Sequence, residues 1–325
     1  MAREEIGIII PAYKGAYLFE TLDSIISQTD QGFVVYVGDD GSPDDIEAMV
    51  RKYSRERSIH YHRFSDRVGG ISLANHWERC IKPSNAPWVW LFSDDDVMEP
   101  RCIEALREHI RDAHNSYEVF RFDTLTIDGR GRVSEINPPH PEEEGWMEFF
   151  YFWIRGLRRC TMPEWVFSRD VFEKAGGFVK FPLAWGSDVA TIIKLGARHG
   201  IRTVKGPHVL FRKSEYNISS RRNRAVVKNK IDAEIQFVRW LDSFLDGHTD
   251  GEFPLGSDVI RELSRIWFLD RLKAHHVYLD VKMLLRLFGF MRRTWCYPGW
   301  RSIAWLGMVN LSFVGYLLYR IFRRK

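Results

Sequence analysis

The chain has 325 residues, of which 45% are hydrophobic, 14% aromatic and 28% charged. This composition excludes intrinsic disorder and low-complexity or collagen-like classes and allows one large domain with an appendage. The net charge of +4 is unevenly spread: from Arg271 onward eleven Lys/Arg face the single acid Asp280, so the tail carries +10 and the rest −6, which directs attention to an anionic partner for the tail.

The first hundred residues alternate short apolar runs with amphipathic stretches, the pattern of βαβ units in a mainly parallel sheet. Strands are expected at Ile6–Ile10, Phe33–Val37, Ile59–His62 and Trp88–Phe92, with helices at Tyr17–Gln28, Pro43–Ser54, Ile71–Ile81 and Pro100–Ala113. An extended segment Glu118–Ile127, a Pro/Glu-rich loop Asn137–Gly145 and the aromatic stretch Trp146–Trp153 follow. Trp165–Phe167 reads as a strand, Trp185–His199 as a helix, and Ile201–Val204 and Val209–Phe211 as two closing strands. From about Arg221 the pattern is helical. Domains are expected at 1–220, 221–280 (a helical extension) and 281–325 (a basic, apolar segment). Cys80, Cys102, Cys160 and Cys296 form no CxxC or Cys/His cluster, which argues against a zinc site or disulfide framework and fits a reducing cytoplasm. Met1–Glu5 leads into an apolar run without a signal-peptide pattern, so secretion is not expected.

Three strand ends carry chemistry. The run Ile8–Ile10 stops at Pro11-Ala12-Tyr13, and ligands of open α/β sheets sit beyond the carboxyl ends of strands, so this corner is either a wall for a planar base or an ordinary strand exit. Asp39-Asp40-Gly41-Ser42 repeats the geometry: a carboxylate there accepts from a nucleobase or ribose, although Asp-Gly-Ser is also turn chemistry. At Ser93-Asp94-Asp95-Asp96 three acids repel one another at the mouth of a buried strand unless a cation sits among them. Oxygen ligands suit Mg²⁺ or Mn²⁺ bridging substrate phosphates; a solvated helix N-cap is the alternative. Walker-type, GxGxxG and GxSxG patterns are missing, which argues against ATPase, NAD-enzyme and serine-hydrolase chemistry.

These motifs, with Gly69-Gly70, Asn75, Gly176-Gly177-Phe178 and Ser187-Asp188, make the stretch from Ile6 to about Ser219 resemble a family-2 glycosyltransferase of the GT-A fold, of the bacterial surface-polysaccharide type. The resemblance implies a Rossmann-like α/β domain that takes a nucleotide sugar, a UDP-sugar by expectation. Its nucleotide-binding set would be Pro11, Ala12, Tyr13, Asp39, Asp40, Gly70, Asn75 and Asp94, with Pro11 and Tyr13 flanking the base and Asp40 hydrogen-bonding it. Asp95 or Asp96 would hold Mn²⁺ or Mg²⁺. Ser93 stands where the family often has a leading Asp, leaving open which of the two takes the main contact. His208 is a further candidate ligand, and Arg212 and Lys213 are candidate phosphate-contacting residues on a lid after the last strand. Asp188 follows the Gly-Gly-Phe element at the spacing of the family's catalytic base; a helix N-cap is its other reading.

From Ile303 to Tyr319 no residue is charged, and arginines flank the stretch on both sides. A spanning helix would carry one basic cluster across the bilayer, against the positive-inside tendency, so in-plane attachment to the cytoplasmic face of an anionic membrane is expected over spanning. Packing on the body or on a second subunit is the alternative. Long aliphatic runs between the basic residues favour lipid over nucleic acid. The expected activity is inverting transfer of a sugar to a hydroxyl of a glycan acceptor on a polyprenyl diphosphate. Its rivals are a nucleotidyltransferase acting on a sugar phosphate and a non-catalytic membrane-bound scaffold.

Overall fold

The computed structural model describes residues 6–53, 59–113, 116–215, 217, 220, 223–248 and 255–309. The chain divides into two compact units, one running to Arg221 and the other taking the helices from Arg222 onward.

The first unit is built on one mixed sheet. Strand β1 (Ile6–Ala12) is buried along nearly its whole length, as expected of a strand covered on both faces. It pairs in parallel with β2 (Phe33–Asp39) and β4 (Trp88–Leu91), and β2 pairs in parallel with β3 (Ile59–Arg63). The connecting helices are α1 (Leu18–Ile26), α2 (Ile46–Arg51) and α3 (Leu73–Ile81). In α1, Leu18, Leu22 and Ile25 recur at helical spacing and are fully buried, the apolar stripe that seats a crossover helix on its sheet.

Beyond β4 the pairing changes. After β5 (Val97–Met98) and α4 (Cys102–Asp112) comes the long β6 (Val119–Ile127), followed by β7 (Val133–Ile136), β8 (Glu143–Glu144), α5 (Trp146–Ile154), β9 (Trp165–Ser168), α6 (Arg169–Lys174), α7 (Ser187–Leu195) and β10 (Ile201–Arg212). Among the described residues the strand order is β3-β2-β1-β4-β9-β6-β10-β5, with β7 on β6 and β8 on β10. β9 runs antiparallel to both β4 and β6, so the parallel pairing expected of the first hundred residues is found in β3-β2-β1-β4 and recurs at β6-β10. The two closing strands read from the sequence are one strand, interrupted by a bulge between Val204 and His208 where Gly206 takes φ +107°.

The core below the sheet joins Ile6, Ile8 and Ile10 to α1, α4 and the aromatic rings of β4 and β6. Trp90 stacks on Phe122, ring centroids 4.8 Å apart, while its indole N–H donates to Pro163 O at 2.7 Å. That bond fixes the segment before β9 at the end of β4.

The second unit comprises α8 (Arg224–Gly247), α9 (Ser257–Ala274), α10 (Val281–Thr294) and α11 (Gly299–Val309). Val227, Ile231 and Val238 share one core with Phe268, Leu272, Leu284, Phe290, Trp295 and Leu306. Residues 221–280 and 281–309 therefore do not form separate domains, because α10 supplies the face that closes the α8–α9 pair. No helix among the described residues is long and apolar enough to cross a membrane. The uncharged stretch enters the described residues only as far as Val309.

Candidate active site

The parallel strands β1, β2 and β4 end on one edge of the sheet. The antiparallel register Trp90↔Val166 brings the start of β9 to that same edge, so Met162–Glu164 lies at the end of β4.

The β1 exit is held by the acids that follow β4. Asp94 is buried, and its Oδ2 accepts from the backbone N–H of Tyr13 (2.8 Å) and of Lys14 (2.9 Å). Burial first, then the charge of Asp95, pushes the Asp94 carboxyl up to about 6 against the pull of Lys14 and those two N–H groups. The Lys14 side chain folds back onto the same acids, its Nζ 3.0 Å from Asp95 Oδ2 and 3.8 Å from Asp94 Oδ1. Burial draws the ammonium down, but the charges of Asp94 and Asp95 outweigh it and leave its pKa raised.

Asp96 belongs to the frame. Its carboxylate is fully buried, Oδ1 accepts from Arg212 N at 2.7 Å, and burial raises its pKa well above the usual carboxylate range. Its other oxygen, Oδ2, is buried without a hydrogen-bond partner among the described residues. Arg212 does not take its expected place on a lid: it is fully buried. Its guanidinium donates to Asp95 O (2.7 Å), Asp128 O (3.2 Å) and Glu20 Oε2 (2.5 Å), tying the acidic turn to α1 and to the end of β6. Lys213 is exposed, its N–H continuing the strand to Ile127 O. His208 faces Glu99, whose Oε2 accepts from its backbone N–H at 2.7 Å and lies 3.2 Å from its Nδ1. That partner accounts for the ring, so the structure gives His208 no place among the acids of the 93–96 turn. Among the described residues no group of three or more His, Cys, Asp or Glu side chains is arranged to hold a metal.

Asp39 is likewise structural: Ser42 N donates to Oδ1, and Tyr61 OH and Arg63 Nη1 donate to Oδ2, each at 2.7 Å. Burial, then the bond to Asp39, pushes the Tyr61 phenol up to about 12. Asp40 accepts from Val68 N (2.9 Å), Gly69 N (2.9 Å to Oδ2) and Arg79 Nη2 (2.5 Å). A carboxylate offers about four lone-pair sites, so Asp40 here fastens the segment before α3, and a base would have to displace one of these donors. Beside it, His76 is kept neutral, its pKa lowered to about 4 by burial. Pro11 and Tyr13 are partly exposed and Ala12 is buried. The Arg67 guanidinium lies 4.0 Å from the centroid of the Tyr13 ring, on the wall expected to meet a base. Gly70 and Asn75 are exposed, before and within the first turn of α3.

Asp188 opens α7 and accepts from Val189 N at 2.9 Å, and burial raises its carboxyl to about 6. The backbone before it is left-handed at Leu183 (φ 59°), Ala184 (φ 52°) and Gly186 (φ 78°). Two non-glycine residues in that region store roughly 1–3 kcal/mol each, a load that clusters at functional loops. The carboxylate lies within electrostatic reach of Glu164 and Cys160, which joins it to the segment fixed at the end of β4. Glu164 itself is fully buried and held by Thr161 N and Thr161 Oγ1 at 2.9 and 2.6 Å; burial pushes it up to about 8.

Lys14, Arg67, Arg79 and Glu164 are site residues that sequence reasoning missed. Only Glu164 carried a legible signal, the Thr-x-x-Glu capping box from Thr161.

The model of glycosyl transferase family 2 matches residues 7–176, slightly more than half of the chain. The chain belongs to that family. It is 26% identical over 183 residues to the glycosyltransferase GlyG of Streptococcus pneumoniae serotype 4, covering 55% of this chain and 52% of GlyG. It is 33% identical over 100 residues to an uncharacterised glycosyltransferase of Rickettsia prowazekii, 30% of each chain. The chain thus spans about half or less of the length of these relatives. Residues 1–349 of TarS from S. aureus, solved in complex with UDP-GlcNAc, superpose with a TM-score of 0.68 at 15% identity, over 96% of this chain and 88% of that one. That likeness shows a shared GT-A-type α/β fold.

Proposed function

We propose that this family-2 member is an inverting glycosyltransferase that moves a sugar from a nucleotide diphosphate to a hydroxyl of a lipid-linked glycan acceptor in surface-polysaccharide assembly. The observation that carries this reading is the cation-facing pair Asp94 Oδ1 and Asp95 Oδ2 at the end of β4, on the edge that also carries the Tyr13 wall and, through Glu164, the Asp188 carboxylate. The complex of TarS with UDP-GlcNAc supports a UDP-sugar as donor.

The two oxygens fit a hard divalent ion, which is commonly held by one or two carboxylates and completed by substrate phosphates. Mn²⁺ or Mg²⁺ bound there would neutralise charge on the departing diphosphate. Every other role falls to the chain itself. Tyr13 and Pro11 supply a wall for the base, and Asp94 keeps that wall in register through the Tyr13 and Lys14 amides. In a single displacement the acceptor oxygen bonds to the anomeric carbon as the bond to the diphosphate breaks, and a base takes the hydroxyl proton. Glu164 at about 8 holds its own proton at neutral pH and cannot take another. Asp188 at about 6 is ionised there, yet more basic than an exposed carboxylate, which supports it as the acceptor of that proton.

Support for a membrane-bound acceptor comes from α10, whose exposed positions combine Val281 and Leu285 with Lys282, Arg292 and Arg293. That combination suits the headgroup level of an anionic leaflet. The deciding experiment measures transfer from UDP-sugars with Mn²⁺ to a polyprenyl-diphosphate glycan by wild type and Asp188→Asn. The variant is expected to bind UDP normally and to transfer nothing. Normal turnover by the variant removes Asp188 as the base, and pyrophosphate release from a nucleoside triphosphate and a sugar phosphate would replace this activity with nucleotidyl transfer.

A further inference from the structure

The cation within reach of the Asp94–Asp95 pair is part of the chain. Lys14 follows the base wall by one residue, and because Asp94 Oδ2 captures the N–H groups of both Tyr13 and Lys14, the backbone turns so that the side chain can return to the acids it has just bonded. Its Nζ lies 3.0 Å from Asp95 Oδ2 and 3.8 Å from Asp94 Oδ1; its side chain keeps 29% exposure while both acids keep 7%. It is therefore a partly buried ion pair with an open side. A divalent cation needs the same oxygens at about 2.0–2.1 Å if it is Mg²⁺, and two cations competing for one carboxylate oxygen repel each other. The ammonium and the metal are alternatives.

Building on the glycosyltransferase reading above, we infer that Lys14 is the resident counter-ion of the acidic pair in the donor-free protein and that it passes to the donor's diphosphate when a divalent ion takes Asp95. A flexible four-carbon stem with a point charge at its end is suited to such a transfer, and its anchor beside Tyr13 keeps the freed ammonium next to wherever the base is held. No bond is made or broken. The consequence is coupling: metal alone must evict Lys14 without giving it a new partner, whereas metal together with a nucleoside diphosphate provides one. Mn²⁺ and UDP therefore bind cooperatively, and Lys14 supplies the cooperativity.

The test is calorimetry of Mn²⁺ binding, with and without UDP, to the full chain and to Lys14→Gln, Lys14→Arg and Lys14→Gln/Asp95→Asn. Removing the resident charge is expected to tighten Mn²⁺ binding in the absence of UDP by about tenfold, within the usual span of coupling between sites, and to reduce the gain that UDP brings. Lys14→Arg keeps a cation in place and stays near wild type, and adding Asp95→Asn abolishes the tightened binding. A second readout uses the wild-type chain: acetylation of Lys14 by an amine-reactive reagent, followed by mass spectrometry, is expected to be slow in the free protein, faster with saturating Mn²⁺, and slow again with Mn²⁺ plus UDP. Cooperative binding in wild type with unchanged Mn²⁺ affinity in Lys14→Gln, or Lys14 labelling indifferent to Mn²⁺, overturns the counter-ion role and leaves the enzymatic reading standing. Failure of wild type to bind Mn²⁺, UDP and UDP-sugars overturns both.

Discussion

Burial lifts the Asp188 carboxyl to about 6, and this sets both a pH profile and a stability penalty. Transfer by wild type should rise with pH through about 6 and level off above it, as the base loses its proton. For stability the sign is opposite. An acid whose folded pKa exceeds its unfolded value of about 3.9 binds its proton more tightly when folded, so its contribution is full below pH 4 and is lost as pH rises through about 6. Asp188→Asn removes the ionised form, and after solvent screening at a partly exposed position it should stabilise the protein by about 1–2 kcal/mol at pH 8 and by nothing at pH 4. Melting curves at the two pH values check this; equal shifts at both would contradict the burial argument. Arg212 is the opposite case. Its guanidinium is buried on Asp95 O, Asp128 O and the half-exposed Glu20 carboxylate, and removing it strips two carbonyl oxygens of their donor, at about 1–3 kcal/mol for each buried group left unsatisfied. Arg212→Ala should therefore unfold at markedly lower denaturant. A variant of normal stability with a raised donor KM would restore the lid role that its place after the last strand suggested.

The segment between β3 and α3 shows what one loop does with two backbone N–H groups. Val68 and Gly69 donate to Asp40, while Arg67 lies over the Tyr13 ring. A Cβ at Gly69 would stand 2.6 Å from Asp40 Oδ2, so only glycine allows this approach. A cation–π contact at a partly exposed site is worth about 0.5–1 kcal/mol, and a base entering against Tyr13 must displace it. Arg67→Ala should accordingly tighten UDP binding by about two- to fivefold, read by calorimetry, with kcat unchanged; weaker binding would mean that Arg67 closes over the bound base instead. The Tyr13 wall and the acids after Phe92 were legible because periodic apolar strands end at them, and strand ends are where an α/β sheet exposes chemistry. The occupation of Asp39, Asp40 and Arg212 by protein partners was not, since apart from Ser42 beside Asp39 those partners lie 22 to 192 residues away in the chain. Reading β10 as two strands had a local cause: the bulge at Gly206 interrupts the apolar alternation without ending the strand.

For the whole molecule, the two units divide the charge as they divide the chain, and the basic tail belongs to the helical one. α10 turns Met283, Leu284, Leu287, Phe290 and Met291 inward, which leaves Val281, Lys282, Leu285, Arg292 and Arg293 on its outer side. Nearby in sequence Val277 is 70% exposed and Trp300 72% exposed. Large apolar groups next to basic ones fit an interface better than bulk water, because the rings and aliphatic chains enter the headgroup region while the cations meet anionic lipid. Each Lys or Arg near such a surface contributes about 1 kcal/mol, so reversing Lys282, Arg292 and Arg293 together to Glu should weaken partitioning of the full chain onto phosphatidylglycerol-rich vesicles by at least about 100-fold at low salt. The difference should shrink as ionic strength rises, since a Debye length of about 8 Å at 0.15 M screens exposed charges. Vesicles of phosphatidylcholine alone should bind both proteins weakly and equally. Co-sedimentation across these lipids and salts checks the claim, with an unchanged melting temperature to show that the helical core is intact. Equal retention of both proteins on anionic vesicles would detach the basic surface from lipid and return Trp300 and Leu285 to contact with a protein partner.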